Sequence, residues 1–122
     1  RSIWQGGLRD ELADVTRSLR YGDVTDLTNF GGAVIDARAF DRHRRALDRA
    51  KQAPSLEILA GGGTDDSEGW FVDPTVLVGT DPADEAFATE YFGPILAVHV
   101  YDDAAYGAEV HHFPDADHAT SV

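Results

Sequence analysis

The chain has 122 residues, 22 acidic against 10 basic, and a formal net charge of −12; that charge repels phosphate backbones and argues against nucleic-acid binding. Hydrophobic residues make up 43%, enough for one core of ordinary size, yet no apolar stretch approaches the roughly 20 residues of a membrane span. The chain has no cysteine, which excludes disulfides, thiolate metal sites and a thiol nucleophile within these residues.

The first residues, Arg1-Ser2-Ile3-Trp4, include neither Met nor the apolar core of a signal peptide. A processed or partial chain, working in the cytoplasm, is expected. Trp4, Leu8, Leu12, Val15 and Leu19 then recur at helical spacing and predict one amphipathic helix. Ser2 is its expected N-cap and Gly22 its expected C-terminal stop. Gly6-Gly7 weakens its first turns by about 1 kcal/mol per glycine. Residues 23–32 read as a loop.

Asp36 is the expected N-cap of a second helix over 37–52, with Ile35 and Phe40 as a hydrophobic staple and Pro54 as its stop. Phe40, Leu47 and Ala50 form its apolar face, with the aliphatic part of Arg44. The charged remainder, His43 and Arg49 included, reads as a solvated face. Residues 56–60 read as a strand, and Gly61-Gly62-Gly63 opens a turn-rich connector over 61–67. Residues 71–72 and 75–78 read as extended, with Pro74 marking an edge or a bend. Asp81 is the expected cap of a short third helix reaching Thr89, with Pro82 at its first position. Residues 95–101 form a continuous apolar strand expected to be buried on both faces. Residues 106–122 lose periodicity and are expected to be poorly ordered. The order helix, helix, strand, strand, helix, strand fits α/β or α+β layers.

Few residues carry a chemical pattern. Gly61-Gly62-Gly63 lacks the spacing of a phosphate cradle and reads as a turn. His111, His112, Asp115, Asp117 and His118 hold metal-ligating groups, but without a fixed geometry they read as an acidic tail. Ser55, Ser67 and Ser121 have no histidine and acid nearby in sequence. Asp65-Asp66 and Asp102-Asp103 read as turn acids. The remaining candidate is Glu90-Tyr91-Phe92-Gly93-Pro94, between an acidic segment and the last strand. On spacing alone it is a helix-to-strand turn with a surface acid and a core aromatic. Alternatively, Glu90 offers two acceptor oxygens to a ligand's hydroxyls, Phe92 an apolar ring face, and Gly93 a close backbone approach.

Four sequence words stand in order: Phe30-Gly31-Gly32-Ala33-Val34-Ile35-Asp36; Pro54-Ser55-Leu56-Glu57-Ile58-Leu59-Ala60-Gly61-Gly62; Gly69-Trp70-Phe71-Val72-Asp73-Pro74-Thr75; and Glu90-Tyr91-Phe92-Gly93-Pro94-Ile95. Together they resemble the catalytic domain of the aldehyde dehydrogenase superfamily. The first two words are most similar to the delta-1-pyrroline-5-carboxylate dehydrogenases. The resemblance covers residues 1–105. It implies an α/β fold with helices packed on a small, mostly parallel sheet. It also implies NAD as cofactor, with Glu90 at the nicotinamide ribose and Phe92 at the ring.

In that family a cysteine thiolate attacks the aldehyde, hydride passes to the nicotinamide, and a glutamate-activated water releases the acid. The resemblance places the thiolate, the activating glutamate and the cofactor-binding domain before the segment matching Arg1. It places the loop that anchors the substrate carboxylate and the oligomerisation flap after the matched residues. The chain by itself is therefore expected to be inactive toward glutamate semialdehyde, to bind no NAD alone, to expose apolar faces, and to assemble with itself or a protein partner. The alternative is a non-catalytic acidic module that acts by association. Gly6-Gly7 looks like a one-residue expansion against the family pattern.

Overall fold

The computed structural model describes residues 1–105. Three α-helices, α1 (Arg9–Ser18), α2 (Ala37–Gln52) and α3 (Glu85–Ala88), accompany five strands, β1 (Leu56–Ala60), β2 (Thr64–Asp65), β3 (Phe71–Val72), β4 (Thr75–Gly79) and β5 (Ile95–His99). The expected tail and its histidines lie outside the described residues.

The main sheet has the order β1-β4-β5. β4 and β5 run parallel, with Val76 opposite Leu96 and Val78 opposite Val98. β1 runs antiparallel to β4, with Glu57 opposite Val78. The α/β class stands, and the sheet is mixed rather than mostly parallel. The cause lies in what connects β1 to β4. A parallel return is usually carried by a crossover helix, whereas here the chain turns at Gly61 (φ 77°) and Gly62 (φ 89°) and comes back through the two-stranded β2-β3 ribbon. The connector expected as turn therefore contains β2, paired antiparallel to β3. A Cβ at Gly61 would collide with the Pro74 carbonyl and Thr75, so that turn requires glycine. Pro74 is the bend between β3 and β4.

Side-chain alternation gives β4 two packed faces. Val76 and Val78 pack with Ala13 of α1, Leu59 and the half-buried Trp4, Leu12 and Val98. Leu77 packs on the opposite face with Ala50 of α2 and Ala86 of α3. Phe40, Leu47 and Val72 extend that second layer. β5 is at the edge of the sheet, and Leu96 is 51% exposed. The expectation of a strand buried on both faces fails there, because α1 covers Val98 and no described element covers Leu96.

The first helix also departs from expectation. A π-turn spans Trp4–Leu8, with Gly7 at φ 118° inside it, and α1 begins only at Arg9. One residue inserted into an α-helix is absorbed as such a bulge, and Gly7 tolerates its left-handed backbone. The bulge rotates the later turns, so Ala13 and Thr16 are buried while Val15 is 53% exposed. Ser2 is already helical, so it does not cap, and α1 stops at Ser18 before reaching Gly22. Helix α2 follows its sequence closely: the Asp36 carboxylate accepts from the Ala39 amide at 2.7 Å. The staple is absent, since Ile35 is 89% exposed. Arg44 is exposed as well and pairs with Asp41 at 2.8 Å.

Candidate functional site

Residues 89–94 link α3 to β5. Helix α3 is shorter than expected, and its cap is Asp84 rather than Asp81. The reason is tertiary. Asp84 accepts hydrogen bonds from Arg49 Nη2 at 2.7 Å, Ser55 Oγ at 2.9 Å and the Ala86 amide at 2.9 Å. Arg49, first, and these partners hold its carboxyl down at about 2. Arg49 is thus drawn from the expected solvated face into a clamp joining α2, the β1 entry and α3. Asp81 instead closes a local turn onto the Ala83 amide.

Beyond α3, Glu90 is exposed, Tyr91 is buried and Phe92 is 76% exposed. Burial pushes the Tyr91 hydroxyl up, opposed by Arg49, which the hydroxyl faces outside hydrogen-bond geometry. Tyr91 therefore anchors the loop inward while Glu90 and Phe92 point out. The sequence reading of the second residue as a core aromatic belongs to Tyr91, not Phe92. Phe92 has φ 49°, and no other non-glycine residue among those described has a positive φ. That conformation costs a residue with a Cβ roughly 1–2 kcal/mol, and such strain recurs at ligand sites. The exit is fixed by Ile95 N donating to the Gly93 carbonyl and Thr75 N to the Pro94 carbonyl, both 2.8 Å.

The sequence pattern places His43 on the solvated face of α2 and not at a site, and the structure differs. His43 is fully buried, and both its ring nitrogens lack hydrogen-bond partners. A Cβ at Gly93 would overlap its ring, so the ring is the floor under this loop. Burial, then Arg42, lowers its pKa, while the Phe92 carbonyl pulls the other way. The signal was present in the sequence: 40, 43, 47 and 50 share one helical stripe.

Glu90 and Phe92 together offer an exposed carboxylate beside an exposed ring, which fits two ribose hydroxyls and the flat face of a nicotinamide. The Gly61-Gly62-Gly63 turn is not a phosphate cradle, because Gly62 N is committed to Thr75 Oγ1 at 2.9 Å. A cleft of about 480 Å³ lies nearby, lined by Arg38, Arg42, Arg45, Arg49 and Tyr91 among others, and neither Glu90 nor Phe92 lines it. Among the described residues no helix is long and apolar enough to cross a membrane.

The model of the aldehyde dehydrogenase family matches residues 1–110. The chain belongs to that family. Its relatives include a probable delta-1-pyrroline-5-carboxylate dehydrogenase of Schizosaccharomyces pombe, 46% identical over 82% of this chain and 18% of that protein. The mitochondrial delta-1-pyrroline-5-carboxylate dehydrogenase of Homo sapiens is 41% identical over 86% of this chain and 19% of that one. The crystal structure of the delta-pyrroline-5-carboxylate dehydrogenase from Mycobacterium tuberculosis superposes with a TM-score of 0.83 at 52% identity, covering 91% of this chain and 20% of that one. The NAD-bound form of that protein superposes at 0.80. Betaine aldehyde dehydrogenase of Staphylococcus aureus, at 22% identity and a TM-score of 0.79, shares the fold. The chain spans about a fifth of the length of the relatives it matches.

Proposed function

We propose that this chain is a segment of the catalytic domain of an NAD-dependent dehydrogenase that oxidises glutamate semialdehyde, the open form of pyrroline-5-carboxylate, to glutamate in proline catabolism. The observation that carries the substrate class is the contrast in identity: 52% to the Mycobacterium tuberculosis enzyme against 18–22% to dehydrogenases named for other aldehydes or for none. The reaction consumes the aldehyde, NAD⁺ and water and gives the carboxylate, NADH and two protons. When bound, NAD supplies the hydride acceptor. This chain's part is positional. Glu90 accepts from the ribose hydroxyls, and Phe92 lays its ring against the nicotinamide and keeps water from that face. Orientation of this kind is worth far more than the contacts themselves. The thiolate and the activating carboxylate lie outside these residues in this proposal.

The test has two parts. The 122-residue chain, given glutamate semialdehyde and NAD, is expected to show no NADH absorbance; turnover would overturn the inactivity of the isolated segment. In a longer dehydrogenase chain carrying this segment, Glu90→Gln is expected to raise the NAD KM about tenfold, or about 1.4 kcal/mol, leaving the aldehyde KM unchanged. An unchanged NAD KM would remove Glu90 from the cofactor site. We also propose that the segment works in an assembly, because Leu27 is 95%, Phe30 70% and Ile35 89% exposed, more apolar surface than an isolated domain carries comfortably. A monodisperse monomer by sedimentation would count against that. Its proposed compartment is the cytoplasm, although the Homo sapiens relative named above is mitochondrial.

A further inference from the structure

The loop bearing Glu90 and Phe92 rests on one side chain with no hydrogen bond of its own. His43 stands at the middle of α2, 0% exposed, with neither ring nitrogen satisfied. Burying an imidazole unpaired is unfavourable compared with burying an aliphatic side chain. The Gly93 backbone lies on the ring so closely that any Cβ there would overlap Cε1 and Nε2. The preceding residue, Phe92, is the one held in a left-handed backbone. Below the loop, the Gly93 and Pro94 carbonyls are tied to Ile95 and Thr75. Ring, glycine and left-handed phenylalanine therefore form one stacked unit.

We propose that His43 is the positioning residue of this loop: its ring seats the Gly93 backbone, which holds Phe92 left-handed and aims its ring and the Glu90 carboxylate outward. His43 touches neither substrate nor cofactor in this scheme. It acts through Gly93 and Phe92, and only the consequence for cofactor affinity rests on the function proposed above. The charge acting on the ring is Arg42, from α2 itself; from the loop it meets the Phe92 carbonyl. A protonated ring would be a buried charge facing the like charge of Arg42, so protonation should disturb the seat rather than tighten it.

The experiment is heteronuclear NMR on the 122-residue chain with His43→Phe and His43→Ala. In the unsubstituted chain, the ring nitrogens should report a neutral imidazole to below the ordinary histidine range, and the Phe92 and Gly93 amides should shift with that same midpoint. His43→Phe, a flat ring that cannot titrate, should keep those amides near their original positions at neutral pH and abolish their titration. His43→Ala should move both and release the left-handed Phe92. Amides that titrate unchanged in His43→Phe, or stay in place in a folded His43→Ala, would overturn the proposal. If the alanine variant does not fold, the phenylalanine variant still decides it. In a longer dehydrogenase carrying this segment, His43→Ala should raise the NAD KM several-fold with a smaller change in kcat. Loop amides that move while the NAD KM does not would leave His43 its positioning role and take the cofactor role from Glu90 and Phe92.

Discussion

β4 and β5 are neighbouring parallel strands of similar apolar sequence, Thr-Val-Leu-Val-Gly beside Ile-Leu-Ala-Val-His, paired residue for residue. All five residues of β4 are buried, whereas those of β5 are half-buried and Leu96 is exposed. Hydrophobicity alone does not separate them. Position does, because β4 has a strand on each side, α1 on one face and α2 with α3 on the other, while β5 has one strand and a partial cover. An apolar run thus reports what a strand requires, and the rest of the fold decides whether it receives it.

That contrast breaks most visibly at Leu77, which is 0% exposed. Leu77→Ala should cost about 2–5 kcal/mol in a denaturant titration; a cost under 1 kcal/mol would mean that β4 is not the centre of the core. Removing the clamp over β5 comes next. Asp84→Ala deletes the cap of α3 and leaves Arg49 only its 3.7 Å pair with Glu85, with an expected loss of about 2–3 kcal/mol and greater hydrogen exchange in β5 than in β1. Acid tests the same carboxylate without mutation. Its folded pKa lies below the ordinary value, at about 2, so its contribution is present above about pH 4 and is lost as pH falls from there toward 2, amounting to roughly 2 kcal/mol. In Asp84→Asn that portion of the acid dependence should vanish. Asp36→Ala removes one N-cap bond from α2 and should cost about 1 kcal/mol, without altering the order of strand protection. Leu96→Ala should be the mildest, under about 1 kcal/mol, since half its surface is already in water; a larger loss would mean that Leu96 is covered in solution, by another copy or another segment.

Local signals carried some elements completely. Helix α2 was legible to the residue, because Asp36, the apolar stripe and Pro54 act within a few residues of one another. β1 and β4 were legible from their apolar runs and glycine turns. The candidate loop was legible as Glu90 and Phe92 through resemblance. The π-turn was legible only as a doubled glycine, and the inward residue of the loop proved to be Tyr91.

By itself the sequence determined the α/β order of elements, the caps and turns built from neighbouring residues, and the family to which the chain belongs. Those depend on backbone preferences and short-range hydrogen bonds, which each segment carries with it. Tertiary structure alone decided that Asp84 and not Asp81 caps α3, and that His43 leaves the charged face to lie beneath Gly93. Each of these rests on a partner distant in the chain, and burial and pairing energies large enough to override local preference appear only once that partner is in place.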